Sequence, residues 1–187
     1  MLRIFFVLLV TMPLLSGCAA VVVGGAVGAA VVASDGRGVG TQVDDRGLSI
    51  RAQAAIADIK ELEAQRVKIL AYNGNVLLYG QVAQSRQRDM AARALRNVSG
   101  VNNIYNQLRI DDVASLGQRT RDSILTSRVH TALFTERDFD TSAVKVISEN
   151  NEVFLIGILD RETAQAVIDI VRNINGVERV INVMQIN

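Results

Sequence analysis

The chain repeats itself at a fixed spacing, and this constrains its fold more than any local propensity does. "VKILAYNGNVLLYGQV" (67–82) lies over "VKVISENNEVFLIGIL" (144–159), so that Val67, Lys68, Asn73, Val76, Leu78 and Gly80 coincide with Val144, Lys145, Asn150, Val153, Leu155 and Gly157, all at a shift of 77. One residue is then dropped, and "RNVSGVNNIYNQLRI" (96–110) matches "RNINGVERVINVMQI" (172–186) at a shift of 76. Leu48, Arg51, Ala55 and Ile56 extend the match backward over Leu125, Arg128, Ala132 and Leu133. Two copies of one small domain follow from this.

Each copy has a readable order. Leu48, Ala52, Ala55, Ile56 and Ile59 form one helical stripe, answered by Leu125, Val129, Ala132 and Leu133. Two strand-like runs come next, 67–72 with 76–82 and 144–148 with 153–159. They are separated by "NGN" and "NNE", whose residues tolerate the positive φ of a tight hairpin. A renewed helical period covers 85–98 and 161–174 through Met90, Ala94 and Leu95, then Ala166, Ile170 and Val171. Gly100 and Gly176 stand where a left-handed cap is expected, and 101–110 and 177–186 alternate as a last strand. The predicted fold class is α+β, with the order αββαβ twice.

This order, with VK[IV]…N..V.L.G and a later [SN]GV before an alternating strand, resembles the BON domain of bacterial periplasmic and outer-membrane proteins. The resemblance implies two helices packed on one face of a three-stranded mixed sheet in each domain. It also implies that the first helix of the second domain binds anionic phospholipids such as phosphatidylglycerol and cardiolipin, and that the protein supports outer-membrane integrity at the division site.

Location is written at the other end of the chain. Met1 and Arg3 precede an apolar run, Ile4 to Leu15, interrupted by Thr11 and Pro13, which has the form of an export signal and is too short to span a bilayer. Leu15-Ser16-Gly17-Cys18 then resembles a bacterial lipobox, making Cys18 the acylated N-terminus of the mature chain. Ala19 and Ala20 follow instead of the aspartate of inner-membrane retention, so outer-membrane sorting, facing the periplasm, is expected. The organisation predicted is a signal peptide (1–17), a lipidated Cys18 with a flexible Gly/Ala/Val-rich linker (18–45), a first domain (46–110), a linker (111–120) and a second domain (121–187).

Chemistry is poorly provisioned. Cys18 is the single cysteine and His130 the single histidine, and HExxH, CxxC, P-loop and GxGxxG patterns do not occur. No enzyme, metal or cofactor is expected, and a formal net charge of +1 on an exported chain speaks against nucleic acid. The halves differ: residues 18–110 carry eleven Lys and Arg against seven Asp and Glu, whereas 111–187 carry eight against twelve. Opposite charge favours attraction between the domains. It also means that anionic headgroups must be met by the local cluster Arg119, Arg121 and Arg128.

At about 100° per residue, Leu125, Val129, Ala132 and Leu133 turn toward the sheet. Ile124, Ser127, Arg128, Thr131 and Phe134, with Arg121 at the edge, turn outward. These six are the candidate lipid-binding residues, because apolar groups suit the acyl boundary and guanidinium groups suit phosphate. The family pattern has a tryptophan at the position of Ile124, so weaker interfacial preference is expected. The competing reading is an adaptor for envelope-assembly or peptidoglycan-remodelling proteins, with Arg86, Arg88, Arg93 and Arg96 as its contact surface.

Overall fold

The computed structural model describes residues 39–136 and 138–187; the export segment and Cys18 lie outside the described residues. The first copy comprises α1 (Val39–Ala57), a short 3-10 turn (Lys60–Leu62), β1 (Arg66–Tyr72), β2 (Asn75–Val82), α2 (Ser85–Leu95) and β3 (Asn103–Ile110). The second comprises α3 (Leu116–Thr135), β4 (Lys145–Glu149), β5 (Glu152–Ile156), β6 (Ile158–Leu159), α4 (Arg161–Arg172), β7 (Arg179–Asn182) and β8 (Gln185–Ile186). In each, the hairpin is antiparallel and the last strand adds in parallel to the middle one, in the orders β1-β2-β3 and β4-β5-β7. The predicted αββαβ order with a mixed three-stranded sheet therefore stands, with a break in the second copy. The ladder there pauses at Gly157 and resumes as the parallel pair β6 and β8.

Asn73 and Gly74 have φ of 50° and 73°, and Asn150 and Asn151 have 52° and 63°. Positive φ at both central positions is the backbone that a two-residue hairpin requires. Gly80 is fixed for a different reason: at φ +113°, a Cβ there would lie 1.9 Å from the Arg66 carbonyl oxygen. Gly100 and Gly176 do have positive φ, but not as caps directly closing a helix. α2 and α4 stop at Leu95 and Arg172, and tight turns such as Val98 N–H to the Leu95 carbonyl carry the chain onward.

Both first helices begin earlier than the sequence suggested. α1 starts at Val39, inside the stretch expected as flexible linker to 45, and α3 starts at Leu116, inside the expected linker 111–120. Glycine content and charge hid the first start. The second was signalled by Ser115, whose hydroxyl caps the helix by accepting the Gln118 N–H at 3.1 Å.

Leu48, Ala52 and Ile56 of α1 and Ala91 and Leu95 of α2 close over Val76, Leu78, Val82 and Leu108 of the sheet. Leu125, Val129 and Leu133 of α3 and Ala164, Val167 and Val171 of α4 close likewise over Val146, Val153 and Leu155. The inward stripe of α4 is thus centred on Ala164 and Val167 rather than on Ala166.

The opposite faces of the two sheets pack on each other. Tyr72, Leu77, Phe154, Ile156 and Val183 are buried together, with Phe154 only 1% exposed. The middle strands β2 and β5 are consequently covered on both faces and read as nearly continuous apolar runs. The charge asymmetry is used here. Arg66 makes a bidentate pair with Glu149 (2.7 and 3.0 Å), which also accepts from the Gln81 amide at 3.0 Å. Arg109 reaches Glu152 at 3.3 Å, and Arg179 pairs with the same carboxylate. The hydrogen bond to Glu149 raises the Arg66 pKa, and burial, reinforced by Glu149, pushes the Tyr79 phenol up. One device recurs at the last strand of each sheet: Asn106 accepts from the Leu108 N–H and Asn182 from the Met184 N–H, which occupies a backbone donor that an edge strand would otherwise offer.

Candidate functional site

The first helix of the second domain is pinned from beneath by a buried carboxylate. Asp122 accepts the N–H groups of Asn150 (2.9 Å) and Asn151 (3.1 Å) at the hairpin tip, and the Gln118 amide at 2.9 Å. Thr126 accepts the Ser148 N–H at 3.2 Å, and Arg128 reaches the Asn175 carbonyl at 3.4 Å. Three levels of the helix are thus tied to the hairpin, to β4 and to the turn before β7. Leu125, Val129 and Leu133 fill the space between.

What remains faces solvent. All six residues singled out from the sequence, Arg121, Ile124, Ser127, Arg128, Thr131 and Phe134, are exposed; Ile124 is 48% and Phe134 87% accessible. Leu116, 78% exposed at the helix start, was missed because its segment read as linker. Arg119, counted in the basic cluster, is half-buried and donates back to the Ala114 carbonyl at 3.0 Å. Within Leu116–Thr135 the only carboxylate is that of Asp122, turned inward.

The outward hydroxyls have partners within their own helix. Thr120 donates to the Leu116 carbonyl (3.1 Å), Ser123 to Arg119 (3.0 Å), Ser127 to Ser123 (3.1 Å) and Thr131 to Ser127 (2.9 Å). Beside them, Arg121, Ile124, Leu125, Arg128, Asn151 and Gly176 line an open cleft of about 190 Å³. Arg121 is steadied by two bonds to the Gln118 side chain (3.1 and 2.7 Å), and Asn151 links Gln118 to Glu178 at the rim.

The first domain has a cleft at the same place in its fold, about 340 Å³, lined by Asp44, Asp45, Leu48, Arg51 and Gly74 among others. Asp45 repeats Asp122, accepting from Asn73 (2.7 Å) and Gly74 (2.9 Å). The outer residues do not repeat. On α2, Arg86 and Arg93 are exposed and Arg88 is half-buried, and Arg96 is exposed just past the helix end. Among the described residues, no group of His, Cys, Asp and Glu could hold a metal ion, and no helix is long and apolar enough to cross a membrane.

Comparison with known proteins fits this duplicated architecture. The BON domain family profile matches residues 44–112 and 121–187. The chain is 42% identical over 172 residues to outer membrane lipoprotein DolP of Haemophilus influenzae, covering 91% of this chain and 89% of that protein. It is 38% identical over 151 residues to the 21 kDa hemolysin of Actinobacillus pleuropneumoniae, covering 80% and 78%. Osmotically-inducible protein Y of Escherichia coli is 24% identical over 147 residues, covering 77% and 73%.

Proposed function

This chain belongs to the BON-domain family, as a dual-BON lipoprotein of the outer membrane, and from that premise we propose that the outward face of α3 binds anionic phospholipids. Cys18 carries the acyl chains that hold the protein at the membrane, and the second domain reads phosphatidylglycerol and cardiolipin there. This role supports outer-membrane integrity, with the division site as the place of action.

One observation carries the reading. Ile124, beside Arg121 and Arg128, and Phe134 at the end of the helix are exposed on a helix that presents no carboxylate outward. A soluble surface gains nothing from an aromatic side chain 87% in water, whereas a bilayer interface takes up the ring and meets the guanidinium groups with phosphate. Each basic residue near an anionic surface contributes about 1 kcal/mol. The acyl anchor supplies proximity, so the helix face itself needs only modest affinity.

The test is co-sedimentation of the mature, non-acylated chain (Cys18→Ser) with vesicles. Binding to phosphatidylglycerol vesicles, absent with phosphatidylcholine alone and lost in the folded double variant Ile124→Glu, Phe134→Glu, is the expected result. Equal binding by the double variant rejects this face. Failure of the parent chain to bind either vesicle favours the adaptor role, with the exposed arginines of α2 as the surface to test next.

A further inference from the structure

Resting on the lipid-binding reading, we infer that α3 engages an assembled bilayer surface along its whole length, lying flat, with Leu116 as a second apolar anchor one helix length from Phe134. The two residues are 18 positions apart, an integral number of turns at 100° per residue and about 27 Å along the axis. They therefore point the same way from opposite ends of the helix, 78% and 87% exposed, with Ile124 midway along the axis and about 80° around from their line. A helix with one apolar end dips into a surface, whereas a helix with apolar groups at both ends and the middle lies along it.

The side chains between these anchors would ordinarily resist leaving water. Burying a hydroxyl without a partner is costly, and Thr120, Ser123, Ser127 and Thr131 all stand on or beside the line from Leu116 to Phe134. Each donates its proton to the carbonyl four residues earlier. Their donors are satisfied before any membrane arrives, as in helices buried in lipid. Apart from the exposed imidazole of His130, which lies about 40° to the other side, the strip between the anchors behaves as a weakly polar surface that can settle at the headgroup boundary without losing hydrogen bonds.

Charge within the helix favours an anionic occupant. Arg121 and Arg128 flank the strip on one side, and the single carboxylate of α3 is occupied beneath it. Size points to a surface rather than a single lipid: the cleft beside the arginines holds about 190 Å³, whereas pockets that enclose small ligands run from roughly 300 to 1,000 Å³.

The chain contains no tryptophan, so single reporters are clean. Leu116→Trp, Ile124→Trp and Phe134→Trp, with Ile50→Trp on α1 as control, are each placed in the full mature chain carrying Cys18→Ser. Each is mixed with phosphatidylglycerol vesicles containing acyl-brominated lipid. Quenching at 116, 124 and 134 to a similar depth, with none at 50, is the expected result. Binding with quenching at 134 and none at 116 overturns the flat pose while leaving the lipid-binding reading intact; absence of binding by the parent chain overturns that reading itself. Two further variants bear on the mechanism. Leu116→Asn should weaken vesicle binding about tenfold, and the double variant Thr120→Ala, Ser123→Ala should bind at least as well as the parent. A loss in the alanine pair means that the hydroxyls serve the lipid rather than their own helix, and overturns the inference. So does equal affinity for a short-chain phosphatidylglycerol kept monomeric in solution.

Discussion

The first helices of the two domains, α1 and α3, are alike where they face the protein and unlike where they face away. Underneath, Asp45 and Asp122 accept from the tips of their hairpins at nearly equal distances. Ser49 and Thr126 accept the N–H groups of Ala71 and Ser148, both at 3.2 Å. Arg51 and Arg128 reach the carbonyls of Ser99 and Asn175. Outside, Asp44 stands for Arg121, Gly47 for Ile124, Ile50 for Ser127, Ala54 for Thr131 and Ala57 for Phe134. The inner set specifies a fold that both halves need. Only the first helix of the second domain carries a basic, aromatic face, so the duplication separates what the fold requires from what differs between the copies.

The inner likeness is broken most severely by removing the carboxylates. Asp122→Ala leaves two part-buried N–H groups at the hairpin tip without their acceptor, and a loss of about 2 kcal/mol is expected; Asp45→Ala should cost a similar amount. Urea denaturation measures both. A near-neutral result at either position means that the two hairpins are not held alike.

The outer difference is sharpened by transplanting it. Asp44→Arg, Gly47→Ile and Ala57→Phe together give α1 the outward residues of α3. At Gly47 the backbone φ is ordinary and a new Cβ would meet only the mobile end of Arg51, at 3.2 Å. Stability should change by less than about 0.5 kcal/mol, as for surface substitutions generally. Vesicle affinity should rise by roughly an order of magnitude, the equivalent of about 1.4 kcal/mol of added apolar and charged contact. No gain in co-sedimentation would show that side chains on a BON first helix do not suffice.

The smallest contrast concerns the second helices. α4 is capped by the carboxylate of Asp160, which accepts from the Thr163 N–H (2.9 Å) and hydroxyl (2.7 Å). α2 has a neutral glutamine at its start, Gln84, whose N–H is accepted by the Gln87 side chain at 3.0 Å. The Thr163 backbone bond, then its hydroxyl, holds the Asp160 pKa below the ordinary value of 3.8. Its contribution is therefore complete above the unfolded pKa, about 3.9, and is lost as pH falls through the lower folded value. Below about pH 4, amide exchange should quicken in α4 before α2. Asp160→Asn, still a good cap, should remove the difference.

Much of this was legible in the sequence because the same pattern is printed twice. The shift of 77 aligned the hairpins, and the helical period of α3 separated Leu125, Val129 and Leu133 from Ile124 and Phe134 correctly. Three things were not read. The Asp45 and Asp122 pair obeys the same shift, but a carboxylate at a helix start reads as solvent-facing until the hairpin tip is seen folded over it. Ser115 followed by Gln118 is a capping pattern, yet 111–120 was read as a linker, and so Leu116 was lost from the face. The sheet-to-sheet packing was visible only as opposite net charge. Strands covered on both faces lose the alternation that would have shown a second buried side, and Phe154 announced nothing by its spacing.

The claim that the outward side of α3 meets an anionic bilayer is tested most directly by following backbone amide shifts as phosphatidylglycerol micelles are added to the mature, non-acylated chain. The account predicts perturbations concentrated from Leu116 to Phe134, strongest around Ile124, Arg128 and Phe134, with α1 and α2 unmoved. Shifts centred on α2 or the α1 cleft, or a spectrum unchanged at lipid excess, would contradict it.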